Sequence, residues 1–181
     1  SASGKVMAYH GGPAFVSGAS TPVSVDSPSV TFTSSDSGFG KAIAVLGDVN
    51  GDGIVEIGIG APNAVVGTNA DSGTVYLVKG TAKGTVNLAA ATRPADLIVR
   101  ITGLNLFDRF GASIAPVGDI DGDGKVDFAV GANLADVVSN DLSGKVYLFK
   151  GKDVNASTTL AAATVFKGLI MDQSFGSSLA F

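Results

Sequence analysis

The stretch GDVNGDGIVEIGIGAP, Gly47 to Pro62, crowds three acids, an asparagine and three glycines into its first ten residues and then turns into small and apolar residues. A helix-flanked calcium hand, a phosphate loop and a tight connection within a sheet all begin in this way. The helical hand needs Asp-x-Asp/Asn-x-Asp/Asn-Gly and, at the twelfth position, a glutamate delivered by the exiting helix. Counted from Asp48, the twelfth residue is Ile59. An acid stands at the ninth position instead, Glu56, within VEIGIG, whose alternation is that of a strand. The phosphate loop fails too, because no Gly-x-x-x-x-Gly-Lys-Ser/Thr run occurs and clustered carboxylates repel a phosphate. The stretch belongs to a sheet.

It also recurs. FGKAIAVLGDVNGDGIVEIGIGAPN from Phe39 aligns without a gap on FGASIAPVGDIDGDGKVDFAVGAN from Phe110, at an offset of 71 residues. SGTVYLVKG from Ser72 matches SGKVYLFKG from Ser143 at the same offset, and the chain opens on a third version, SGKVMAYHGG from Ser3. LIVRITGLNLFDRFG, ending at Gly111, resembles ATVFKGLIMDQSFG, ending at Gly176; SVTFTSSDSGFG is a looser copy. Each unit reads as four short strands. They are predicted at 42–46, 55–59, 75–78 and 97–102 in one unit, and at 112–117, 126–130, 146–149 and 163–167 in the next. Four strands in a tandem unit of about 70 residues fit a propeller blade better than a sandwich.

The expected fold is therefore all-β, with propeller blades of four antiparallel strands in an incomplete arc of two whole and two partial blades. Residues 1–38 form the second half of a blade, 39–109 and 110–174 two full blades with acidic loops, and 175–181 the first strand of a further blade. TAKGTVNLAAATRPAD and PAFVSGASTPVSVDSPS read as long surface loops. Propellers close with four to eight blades, so the remaining blades are expected in a longer chain or in neighbouring copies associated head to tail.

Composition agrees. The 181 residues are 45% hydrophobic and 15% charged, which excludes disorder, and 25 glycines among many Ser, Thr and Val favour short strands and turns. Cysteine is absent, so neither disulfides nor thiolate metal sites arise. No apolar run reaches the roughly 18–20 residues of a membrane span, and no basic patch marks a nucleic-acid partner. The net charge is −4, and the two repeated loops hold seven of the sixteen acids. Two divalent cations would neutralise the total.

The loop spacing explains how. Asp48, Asn50 and Asp52, like Asp119, Asp121 and Asp123, sit at positions one, three and five, where glycines 51, 53, 122 and 124 permit the tight backbone that aims them at one centre. Position seven, Ile54 or Lys125, offers only its carbonyl, so unlike side chains are tolerated. Position nine, Glu56 or Asp127, closes the shell from the strand. An all-oxygen set rich in carboxylates suits Ca²⁺ better than Zn²⁺ or Mg²⁺. Ordinary Asp/Asn/Gly turns explain one such pair, but not four positions duplicated in register. With four carboxylates against three, the second loop is expected to bind more tightly.

Phe39-Gly40 with Gly60-Ala61-Pro62 around a nine-residue acidic loop resembles the FG-GAP repeat of integrin α-subunit propellers and their bacterial relatives; the second copy, Phe110-Gly111 with Gly131-Ala132-Asn133, has Asn for Pro. The resemblance implies a propeller with Ca²⁺ in two loops, held by Asp48, Asn50, Asp52, the Ile54 carbonyl and Glu56, and by Asp119, Asp121, Asp123, the Lys125 carbonyl and Asp127. It implies an extracellular or cell-surface module for adhesion, ligand binding or structural assembly, with a protein or glycan ligand. Glu56 stands where Asp is usual.

A polysaccharide-active enzyme or a lectin on the same propeller is the alternative. His10 is the single histidine and falls at a strand end where Lys79 and Lys150 stand in the other copies, and most clustered acids are committed to metal, so no catalytic set is assigned. Tyr76 and Tyr147 recur on strands as packing residues, and there is no tryptophan for sugar stacking. Asn155-Ala156-Ser157 has the form of a glycosylation acceptor.

Overall fold

A computed structural model describes residues 4–9, 28–137 and 141–180. Eleven strands and two single 3-10 turns make up its regular structure, and among the described residues there is no α-helix. The strands are β1 (Gly4–Ala8), β2 (Val30–Ser34), β3 (Ala42–Gly47), β4 (Glu56–Ala61), β5 (Thr74–Lys79), β6 (Gly84–Asn87), β7 (Leu97–Thr102), β8 (Phe110–Gly118), β9 (Asp127–Ala132), β10 (Lys145–Phe149) and β11 (Thr164–Lys167). They form two four-stranded antiparallel sheets, β3-β4-β5-β7 and β8-β9-β10-β11, and a three-stranded sheet, β1-β2-β6. These are propeller blades in a partial, unclosed arc.

The eight expected strands of the two full repeats are all present, with ends moved by one or two residues. Alternation in VEIGIG suggested one buried face. In β4 only Ile57 keeps partial exposure, because β3 and β4 of the second blade lie against β8 of the third and both faces of the sheet are covered. Two cores result. Phe110, Phe128, Phe149, Val75, Leu77 and Ile101 fill the space between second and third blades, while Phe32, Phe39, Ile59 and Tyr76 fill that between first and second.

The Phe-Gly and Gly-Ala phrases are the joints between blades. The ring of Phe39 meets Tyr76 edge-on at 5.6 Å and that of Phe110 meets Tyr147 at 5.4 Å, each within its own blade. The backbone of the same phenylalanine closes on the blade before it: Phe110 N donates to Ser72 O (3.0 Å) and Phe175 N to Ser143 O (2.9 Å). Only glycine fits opposite. A Cβ on Gly60 would stand 2.2 Å from Gly111 O, and one on Gly131 1.9 Å from Gly176 O. Both tyrosines are buried, which pushes their hydroxyls up to about 12 and confirms them as packing residues.

Two expectations need revision. TAKGTVNLAAATRPAD is not a plain surface loop, for it contains β6, which pairs in parallel with β2 and extends the first sheet. Ala82, Val86 and Leu88 are buried there, in the core shared by the first two blades. Its short run gave no alternation long enough to identify a strand. The strand expected over 175–181 is represented by an isolated parallel bridge from Phe175 to Gly144. A first strand takes its ladder from the second strand of its own blade, as β3 does from β4, and these 181 residues contain no such partner. His10, and PAFVSGASTPVSVDSPS apart from Pro28 and Ser29, lie outside the described residues.

Candidate metal centre

Each acidic loop leaves a first strand through a register shift, between Val45 and Gly47 in β3 and between Pro116 and Gly118 in β8. The glycines that end these strands have φ of +99° and +71°. Such a bulge bends the strand and re-aims the residue after it, here Asp48 and Asp119. The four glycines within the loops have φ between +78° and +87° (Gly51 +80°, Gly53 +81°, Gly122 +78°, Gly124 +87°), the left-handed turn conformation expected of them.

Position one organises its own loop. Asp48 Oδ1 accepts from the amides of Gly51 (2.7 Å) and Asp52 (3.1 Å), and Oδ2 from Gly53 (2.9 Å). Asp119 repeats the pattern with Gly122 (2.7 Å), Asp123 (3.1 Å) and Gly124 (2.7 Å). These amides, that of Gly124 foremost, hold the Asp119 carboxyl below the ordinary aspartate value. Position five closes a local turn, as Ile54 N donates to Asp52 Oδ1 and Lys125 N to Asp123 Oδ1, both at 2.9 Å.

Position nine is fully buried in both loops and reaches back from the second strand to the residue after position one. Glu56 Oε2 accepts from Val49 N (2.9 Å), and Asp127 Oδ2 from Ile120 N (3.0 Å). The second oxygens differ. Asp127 Oδ1 accepts from Gly151 N (2.7 Å), whereas the equivalent amide of Gly80 bonds to Val55 O (2.8 Å), and Glu56 Oε1 is buried without a hydrogen-bond partner. Burial pushes the Glu56 carboxyl above its ordinary range.

In the second loop, Asp119, Asp121 and Asp127 each place one carboxylate oxygen within 4.8 Å of the others. Asp123 is in the same loop but outside that trio. In the first loop Asp48, Asp52 and Glu56 bracket Asn50, whose Nδ2 lies 3.3 Å from Asp52 Oδ2. The chemistry fits a hard divalent ion: donors are oxygens, three carboxylates converge in one loop, and a buried carboxylate oxygen is unsatisfied in the other. The loops are also joined, since Val126 N donates to Asp48 O at 3.0 Å.

What the loop spacing did not reveal is the lysines. Lys152 Nζ lies 2.6 Å and Lys150 Nζ 3.3 Å from the same Asp121 Oδ2. The bond from Lys152 is the main reason the Asp121 carboxyl lies below its ordinary value. Lys79, the counterpart of Lys150, stands 3.9 Å from Asp52. The repeat offset could have found the pair: Asn50 and Thr81 in one unit become Asp121 and Lys152 in the next.

Comparison with known proteins matches the FG-GAP repeat at residues 39–78 and 110–149. Integrin alpha-V of Gallus gallus is 32% identical over 143 residues, covering 78% of this chain and 13% of that protein. Integrin alpha-IIb of Homo sapiens is 40% identical over 98 residues (52% and 9%), and integrin alpha-PS5 of Drosophila melanogaster 34% over 115 residues (64% and 10%). The chain thus spans only 9–13% of the length of these relatives. It belongs to the FG-GAP repeat, integrin-like propeller family.

Proposed function

We propose that this FG-GAP chain is a calcium-binding, non-catalytic propeller module that serves adhesion, ligand binding or structural assembly outside the cell. The observation that carries the reading is the convergence of Asp119, Asp121 and Asp127 in a loop whose pattern recurs 71 residues away. Asp48, Asn50, Asp52, the Ile54 carbonyl and Glu56 would hold one ion, and Asp119, Asp121, Asp123, the Lys125 carbonyl and Asp127 the second. Bound Ca²⁺ would supply positive charge that joins the loop to its exiting strand. The chain's own part is preparation: backbone amides orient Asp48 and Asp119, and Glu56 and Asp127 anchor the loop from β4 and β9.

The repeat units then divide at 1–38, 39–109, 110–174 and 175–181, with β6 of the second unit lent to the sheet of the first, and further blades come from the same longer chain or from neighbouring copies. Ligands, protein or glycan, would meet loops at the propeller faces. No helix among the described residues is long and apolar enough to cross a membrane. A dissociation constant of about 10⁻⁴–10⁻³ M, usual for extracellular modules, would keep the sites loaded only where calcium is plentiful.

Isothermal titration of the chain with CaCl₂ tests this. Two ions should bind, and Asp48→Ala or Asp119→Ala should each leave one. A hundredfold excess over the dissociation constant should stabilise the fold by about 2.7 kcal/mol per site. No heat of binding at millimolar calcium and no change of Tm on adding EDTA would refute the calcium assignment.

A further inference from the structure

The two acidic loops are not electrostatically equivalent, although they align in sequence without a gap. The second has a carboxylate at position three, Asp121, where the first has Asn50. That additional charge does not stand alone. Lys152 and Lys150 bracket one oxygen of Asp121 at 2.6 and 3.3 Å, from the 3-10 turn Gly151–Asp153 and the residue before it. The same turn places Gly151 N on Asp127 Oδ1, so one short segment contacts positions three and nine together.

The two units vary in step. In the repeat alignment Asn50 goes with Thr81, and Asp121 goes with Lys152. A surface lysine placed at random would have no reason to appear in the one repeat that gained a carboxylate. Lys79 is shared in kind with Lys150 but stays 3.9 Å from Asp52, a contact at the edge of ion pairing. The first loop has the opposite condition, a buried carboxylate oxygen on Glu56 that nothing satisfies.

We infer that Lys150 and Lys152 are a built-in competitor for the cation at the second loop: they neutralise Asp121 in the ion-free protein and must leave it for Ca²⁺ to bind. The inference rests on the calcium assignment above. It cancels the advantage that four carboxylates would give the second loop over three, so the two loops bind with similar affinity. It also lets the second loop keep its shape without an ion, since Asp121 has its charge countered by two lysines and both oxygens of Asp127 are bonded.

The test uses the whole chain carrying Asp48→Asn, which silences the first loop, titrated with CaCl₂ by calorimetry with and without Lys150→Gln and Lys152→Gln. Removing both lysines should tighten the remaining site roughly three- to tenfold, as expected for the loss of two exposed ion pairs. The same variant should have a lower Tm in EDTA, because Asp121 then faces Asp119 and Asp127 unbalanced. Lys79→Gln should leave the second loop's affinity unchanged. Should the double variant fail to fold, Lys152→Gln alone must tighten binding in the same direction. One bound ion with unchanged or weakened affinity would overturn the competition and leave the calcium assignment standing. No binding in any of the proteins would overturn the assignment itself.

Discussion

The second and third blades are written on the same repeat pattern, yet matching residues have different surroundings. Val49 follows Asp48 and is fully buried; Ile120 follows Asp119 and is 52% exposed. Phe110, at the joint between the two blades, is 1% exposed, and Phe175, its repeat, 43%. Strand β7 is mostly buried, and all four residues of β11 are exposed. Among the described residues the second blade packs against a blade on each side and the third against one. Burial in a tandem fold is therefore set by the neighbouring unit more than by the sequence of the unit itself.

Replacing the joint phenylalanines is the strongest way to probe this. Phe110→Ala should destabilise the fold by about 3–5 kcal/mol, since the ring is enclosed by Tyr147 and Phe149, while Phe175→Ala should lose less than about 1 kcal/mol. Denaturant melts at fixed calcium read both values. Equal losses would mean that the two joints are enclosed alike and that the contrast between blades is wrong.

The joint glycines come next. Gly60→Ala forces a Cβ against Gly111 O within a sandwiched blade and should remove about 3 kcal/mol. Gly131→Ala meets Gly176 O even more closely, but Gly176 lies in a segment without a strand ladder and can yield, so about 1–2 kcal/mol is expected. The order of the two Tm values decides the matter.

The smallest effect is the share of the pH dependence that one joint contributes. Asp108 is buried between the second and third blades and takes a hydrogen bond from Asn105 Nδ2 at 2.8 Å; its repeat is the exposed Gln173. Burial raises the Asp108 carboxyl above its ordinary value. Within the window between the ordinary and raised values the folded chain holds more proton than the unfolded one, so stability falls as pH rises through that window. Asp108→Asn should flatten this part of the Tm profile, and Gln173→Glu, at an exposed site, should not steepen it. A wild-type profile that the Asp108 variant reproduces would remove the assignment.

Periodicity and spacing made much of the molecule legible. The repeat offset located all eight strands of the two full blades, the loops between first and second strands and the order of candidate donors, because each is a local property of chain direction and glycine placement. Sequence did not locate β6. Its four residues gain a ladder only from β2, more than fifty positions earlier, and no local pattern records such a partner. It also left the acidic loops looking equivalent apart from a count of carboxylates.

The chain's sequence by itself determined the tandem units, the strand–loop–strand frame and the oxygen-rich character of both loops, since those depend on residues a few positions apart. Tertiary structure alone decided that Lys150 and Lys152 reach Asp121, that Asp127 has both oxygens bonded while Glu56 has one left over, and that one copy of a phenylalanine is enclosed where the other is open. Electrostatic pairing and burial depend on distances through space, and those distances exist only once the blades are side by side.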